Sequence, residues 1–169
     1  MSTIKEKMIN IIQQQPDDAS FENALIEVLL ELISESIEPF CIHTIENAGV
    51  PFKSCSPERD YSCFDNLGLN NARGVYIFQD KETEDVFYIG EAHRQDLKTC
   101  ITQNYTYKNT GGTFRKNWMK KEGKSFCSFK KFLSDCTITT IVVNTDVKKL
   151  IVAVESLLII ALNPKYNKD

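Results

Sequence analysis

Paired metal-binding cysteines are the first thing this sequence lacks. None of Cys41, Cys55, Cys63, Cys100, Cys127 and Cys136 is separated from another by two residues, the spacing on which most zinc sites are built. A site from Cys41, His43, Cys55 and Cys63 would have irregular spacing, and small half-buried residues are the simpler account of them. His43 has no second candidate ligand at helical or strand spacing except Cys41, and reads as a structural histidine. No N-terminal signal peptide is visible, so reduced thiols in a cytoplasmic protein are expected. No apolar run is long enough to cross a bilayer. In Leu150–Leu162 only Glu155 and Ser156 are polar, and a stretch so short that carries a carboxylate is a core helix, with no membrane partner expected. Compositional extremes are missing too: 169 residues, 42% hydrophobic and 25% charged, suit one soluble domain with an appendage.

A net charge of -3 hides an uneven distribution. Residues 1–90 carry 6 Lys+Arg against 16 Asp+Glu, whereas residues 98–131 carry 9 Lys+Arg and a single acid, Glu122. A local cationic face is what phosphate binding needs whatever the overall charge, because neutralised phosphates release counterions. A lysine-rich solvated surface would look the same in isolation.

Taken in order, the chain opens with an expected helical pair over residues 1–38. Ile4, Met8, Ile11 and Ile12 recur at helical spacing up to Pro16; Asp18 or Ser20 can cap a second helix whose face is Leu25, Val28, Leu29 and Leu32. This pair resembles those of some bacterial antitoxin-type proteins, and it offers a surface for homodimerisation or a protein partner as well as for packing on the rest of the chain. Residues 39–73, broken by Pro39, Gly49-Val50-Pro51, Ser56-Pro57 and Asn70-Asn71, read as a linker or cover segment.

The third segment, 74–169, holds the informative features. Val75-Tyr76-Ile77-Phe78 and Val86-Phe87-Tyr88-Ile89 flank a polar stretch, Gln79–Asp85, and are bracketed by Gly74 and Gly90, which predicts an antiparallel hairpin. Helices are expected after Gly90 through Leu97 and Ile101, from a Thr113 cap through Trp118, and over Ser125–Leu133. A third strand is expected at about 138–144, followed by a final helix from an Asp146 cap to about Leu162. The fold class is therefore α/β (α+β): a small three-stranded antiparallel sheet flanked by helices, preceded by the helical pair.

Gly74-Val75-Tyr76 and Tyr88-Ile89-Gly90, with Glu155 on a late apolar helix and the ending Asn163-Pro164-Lys165-Tyr166-Asn167, resemble the GIY-YIG nuclease family over residues ~74–167. The resemblance implies a DNA endonuclease that hydrolyses phosphodiesters with Mg²⁺ or Mn²⁺. Glu155 would hold the metal, Tyr76 or Tyr88 would orient or deprotonate the attacking water, and Asn167 would brace the site. A lone carboxylate on so apolar a helix needs a partner, and a divalent ion is one.

Two positions depart from the family pattern. Its arginine falls in a Leu-x-x-Arg-Leu run, matched here by Leu97-Lys98-Thr99-Cys100-Ile101, so Cys100 stands in its place; Glu91 follows the second triplet where many members carry lysine. Both changes lower the positive charge beside a polyanion. The replacement cation would come from Arg94, Lys98 or Arg115, of which Arg115, in a Gly-Gly-Thr-Phe-Arg context, is the best placed. Lys98, Lys116, Lys120 and Lys121, with Arg94, are the candidate DNA contacts. The alternative is a catalytically impaired nucleic-acid-binding or protein-interaction module that keeps the nuclease fold.

Overall fold

The computed structural model describes residues 41–52, 60–107, 111–143 and 148–167. The chain divides into two units, Met1–Pro39 and Phe40–Asp169. The helical pair expected over 1–38, and the Asp146 cap, lie outside the described residues. The second unit runs β1 (Cys41–Ile45), α1 (Ser62–Asp65), β2 (Gly74–Asp80), β3 (Val86–Ala92), α2 (Leu97–Thr102), α3 (Thr113–Glu122), α4 (Phe126–Leu133), β4 (Cys136–Val142) and α5 (Lys148–Leu162), with 3-10 turns at Val50–Phe52 and Gln103–Tyr105.

The hairpin forms as its sequence dictates. β2 and β3 pair antiparallel with Tyr76 opposite Gly90 and Phe78 opposite Tyr88. In the polar turn the Asp80 carboxylate accepts hydrogen bonds from the backbone N–H groups of Glu82 (2.8 Å) and Thr83 (2.9 Å), the local capping that lets an Asp start a turn. β4 pairs with the other side of β2, with Tyr76 opposite Thr140.

The sheet has four strands rather than the three expected, in the order β1-β4-β2-β3. The extra strand, β1, comes from the stretch read as linker and pairs Cys41–Ile45 with Val142–Ile138. Its pattern is faint for a physical reason: it is a five-residue edge strand in which only Ile45 is buried and Ile42 is 61% exposed, so little apolar alternation is required of it. β4 also begins and ends two residues earlier than the expected 138–144.

Asp96 caps α2 by accepting from Thr99 N (2.7 Å), and Ser125 caps α4 by accepting from Ser128 N (3.3 Å). At α3 the expected Thr113 cap is displaced by one residue. Gly112 occupies that position at φ 62°, and a Cβ there would stand 2.6 Å from the Gln103 carbonyl oxygen, so only glycine fits. One sheet face and helices α2–α4 enclose a core rich in aromatics: Tyr76, Phe78 and Tyr88 from the sheet, with Leu97, Ile101, Phe114, Trp118, Phe129 and Leu133 from the helices. Val75, Ile77 and Ile89, which alternate to the other face, are buried as well.

Candidate active site

Tyr76 and Tyr88 stand side by side, their ring centroids 6.2 Å apart at 39°. Gly90 makes this possible. A Cβ on it would lie 2.5 Å from Tyr76 Cζ and Oη and 2.8 Å from Tyr88 Cε1, so the Tyr76 ring lies across bare backbone. Tyr88 is held from behind by stacking on Phe114 (5.2 Å, 16°). The glycine and the two tyrosines form one packing unit, which gives their spacing in sequence a geometric reason.

Both phenols are driven away from ionisation. Burial, then the neighbouring Tyr88, Cys100, Glu155 and Glu91, raise Tyr76 well above its ordinary value. Burial followed by the Glu155 charge pushes Tyr88 to about 12, against hydrogen bonds with the Thr113 and Tyr76 side chains that pull it down. At neutral pH both are neutral hydroxyls, fit to donate and orient but not to deprotonate.

α5 packs against β3 and β2 and carries Glu155 close enough for its charge to act on both phenols. Burial and then the negative charge of Glu91 raise Glu155 itself to about 7, with His93 opposing. Glu91 is in turn tied to His93: its Oε2 accepts from the His93 backbone N–H (2.8 Å) and meets Nδ1 of the ring. Arg94 Nε donates to His93 Nε2 (3.2 Å), which puts the ring proton on Nδ1 and completes a Glu91–His93–Arg94 relay.

Cys100 lies in this neighbourhood, where its proximity registers on Tyr76. Burial, Glu91 and Asp96 push its thiol up to about 11, so it brings no charge of either sign. Asn167 uses both ends of its side-chain amide on the backbone of Ile89, between Tyr88 and Gly90. Its Oδ1 accepts from Ile89 N (2.9 Å) and its Nδ2 donates to Ile89 O (2.8 Å).

The expected cations are dispersed. The Arg115 side chain is buried, with Nη1 donating to the carbonyls of Gln103 (3.0 Å) and Thr106 and Nη2 to that of Gly111 (3.5 Å), which makes it a clamp on those three backbone positions. Lys98 pairs with Asp65. Lys121 donates to the Lys165 carbonyl (2.7 Å), while Lys116 and Lys120 project from the exposed side of α3. The geometry also gathers residues that the sequence reading passed over: His93, Lys148 and Lys149 line one cleft with Arg94. The basic pair Lys148-Lys149 at the opening of the glutamate-bearing helix is their signal in the sequence.

Among the described residues no group of three or more His, Cys, Asp or Glu is placed to hold a metal. The donor chemistry at Glu155 and Glu91 is that of one or two hard carboxylate oxygens, which suits Mg²⁺ or Mn²⁺ with water completing the shell and does not suit zinc. No helix among the described residues is long and apolar enough to cross a membrane. No protein-family model matches the chain, and no curated protein matches it at a significant level.

Proposed function

We propose that the protein is a divalent-metal-dependent DNA endonuclease of GIY-YIG type. The observation that carries this reading is the grouping of Tyr76 and Tyr88 across one hairpin with the Glu155 charge acting on both phenols. Glu155, with Glu91 beside it, would hold one Mg²⁺ or Mn²⁺; such an ion supplies Lewis-acid polarisation of a phosphoryl oxygen and neutralises charge at the leaving oxygen. Tyr76 and Tyr88, neutral at working pH, orient the attacking water and the phosphate by hydrogen bonding. Asn167 holds the strand that carries Tyr88 and Gly90 in register. Glu91 and His93 fix the orientation of Arg94, the exposed cation nearest to Glu91 in the chain.

A second reading is favoured by one observation: Cys100 is a neutral thiol where the family pattern has arginine, and Arg115 is spent on backbone carbonyls. On that reading the chain binds nucleic acid, or a protein partner through the N-terminal segment, without efficient turnover. A guanidinium aimed at the reacting phosphate contributes about 10²–10³ in rate. Plasmid nicking in Mg²⁺ by wild type and Cys100→Arg separates the two. On the nuclease reading wild type nicks, and Cys100→Arg changes the rate by less than about tenfold. An inactive wild type with an active Cys100→Arg would establish the impaired module instead.

A further inference from the structure

Where β3 ends and α5 begins, His93, Arg94, Lys148, Lys149 and Val152 line an open cleft of about 460 Å³. Several of the other basic side chains described are already engaged. Lys98 sits on Asp65, Lys124 and Lys165 on Glu122, Lys121 on a carbonyl and Arg115 on several. The cleft is different. Among the described residues no carboxylate pairs with Arg94, Lys148 or Lys149. Cations in the first turn of a helix face its positive end, so Lys148 and Lys149 are not there to stabilise α5. Like charges converging on one concave surface raise its potential and draw in an anion.

The relay behind the cleft decides what kind of anion. Arg94 spends its Nε on His93, itself held by Glu91, and neither terminal nitrogen has a hydrogen bond among the described residues. That leaves the guanidinium fork oriented and available, the geometry that matches two oxygens of a phosphate. The cleft is open rather than enclosed, which suits a phosphate carried on a polymer backbone.

We infer that this cleft is the seat of a DNA backbone phosphate, with Arg94 as the fork and Lys148 and Lys149 as the neutralising charges. The inference rests on the nucleic-acid reading above and moves the principal contact from the basic helix α3 to the opening of α5. Lys148 and Lys149 are exposed, so their removal leaves folding intact, which melting curves check.

The test is binding of a short labelled duplex in EDTA, followed by fluorescence anisotropy over a salt series, for wild type, Lys148→Ala/Lys149→Ala, Arg94→Ala, Arg94→Lys and Lys116→Ala/Lys120→Ala/Lys121→Ala. Each phosphate-neutralising residue contributes about 0.9 to the slope of log K against log salt. The Lys148/Lys149 double variant is expected to bind about tenfold or more weakly and to flatten that slope by about 2. Arg94→Lys should recover only part of the loss seen in Arg94→Ala. Unchanged affinity and slope in the cleft variants, or a loss confined to the α3 triple variant, overturns the inference. If that happens while wild type still nicks in a Glu155-dependent manner, the nuclease reading survives it. If the cleft variants lose binding while wild type never nicks, the phosphate seat stands and the nuclease reading falls.

Discussion

Glu155 is more than half buried on a helix with almost no other polar residue, and Glu91 adds a second negative charge nearby. Its pKa of about 7 in the folded chain lies above the ordinary value of 4.5. Between those values the folded state therefore binds more protons than the unfolded one, and stability falls as pH rises from about 4.5 through 7. Thermal melts across that range in EDTA are expected to show the decline in wild type and a flatter profile in Glu155→Gln; parallel profiles would remove Glu155 as its source. Gly90 makes a second prediction at this scale. Gly90→Ala sets a methyl group 2.5 Å from the Tyr76 ring, an overpacking that costs about 1–3 kcal/mol. Denaturant titration should show a lowered midpoint with the slope unchanged.

At the scale of elements, residues 165–167 complete β3. Lys165 N donates to Val86 O (3.1 Å), Tyr166 N to Phe87 O (2.8 Å), and the Asn167 amide pairs with both backbone groups of Ile89, so residues 165–167 cover the outer edge that would otherwise be open for pairing. Asn167→Ala leaves the N–H and C=O of buried Ile89 without these partners. At about 1–3 kcal/mol for an unsatisfied buried group, its melting temperature should fall clearly, and Asn167→Asp, which keeps only the acceptor, should fall between the two. An unchanged melting temperature in Asn167→Ala would show that the edge is held by the backbone bonds alone. The hairpin, α2, α4 and α5 were legible because apolar spacing and the bracketing glycines act locally, whereas the Asp96 and Ser125 caps emerged only in the structure. β1 was not, since a half-exposed edge strand demands so little of its sequence. Nor was the position of the Arg115 guanidinium: a Gly-Gly-Thr-Phe-Arg run looks alike whether the side chain reaches a phosphate or folds back onto the carbonyls of Gln103, Thr106 and Gly111.

Across the whole molecule the division of charge takes on a different shape in space than in sequence. The basic segment 98–131 contributes Lys116 and Lys120 to an exposed helix face, while Lys98, Arg115 and Lys121 are held by other groups. The cations that share an open cleft come instead from Arg94 and from the start of α5, more than fifty positions apart in the chain. Residue type and spacing carried the tyrosine pair and the glutamate, because those depend on one hairpin and one helix. The cleft depends on how β3 and α5 meet: the Lys148-Lys149 pair is visible in the sequence, but its meeting with Arg94 is not. The most direct measurement of the central claim is nicking of supercoiled plasmid in Mg²⁺ by wild type and Glu155→Ala, purified identically and compared with and without EDTA. The account predicts open-circular product from wild type in Mg²⁺ and none in EDTA, with a loss of at least about 10² in rate for Glu155→Ala. Equal nicking by both proteins, or none by a folded wild type that still binds DNA, would contradict it.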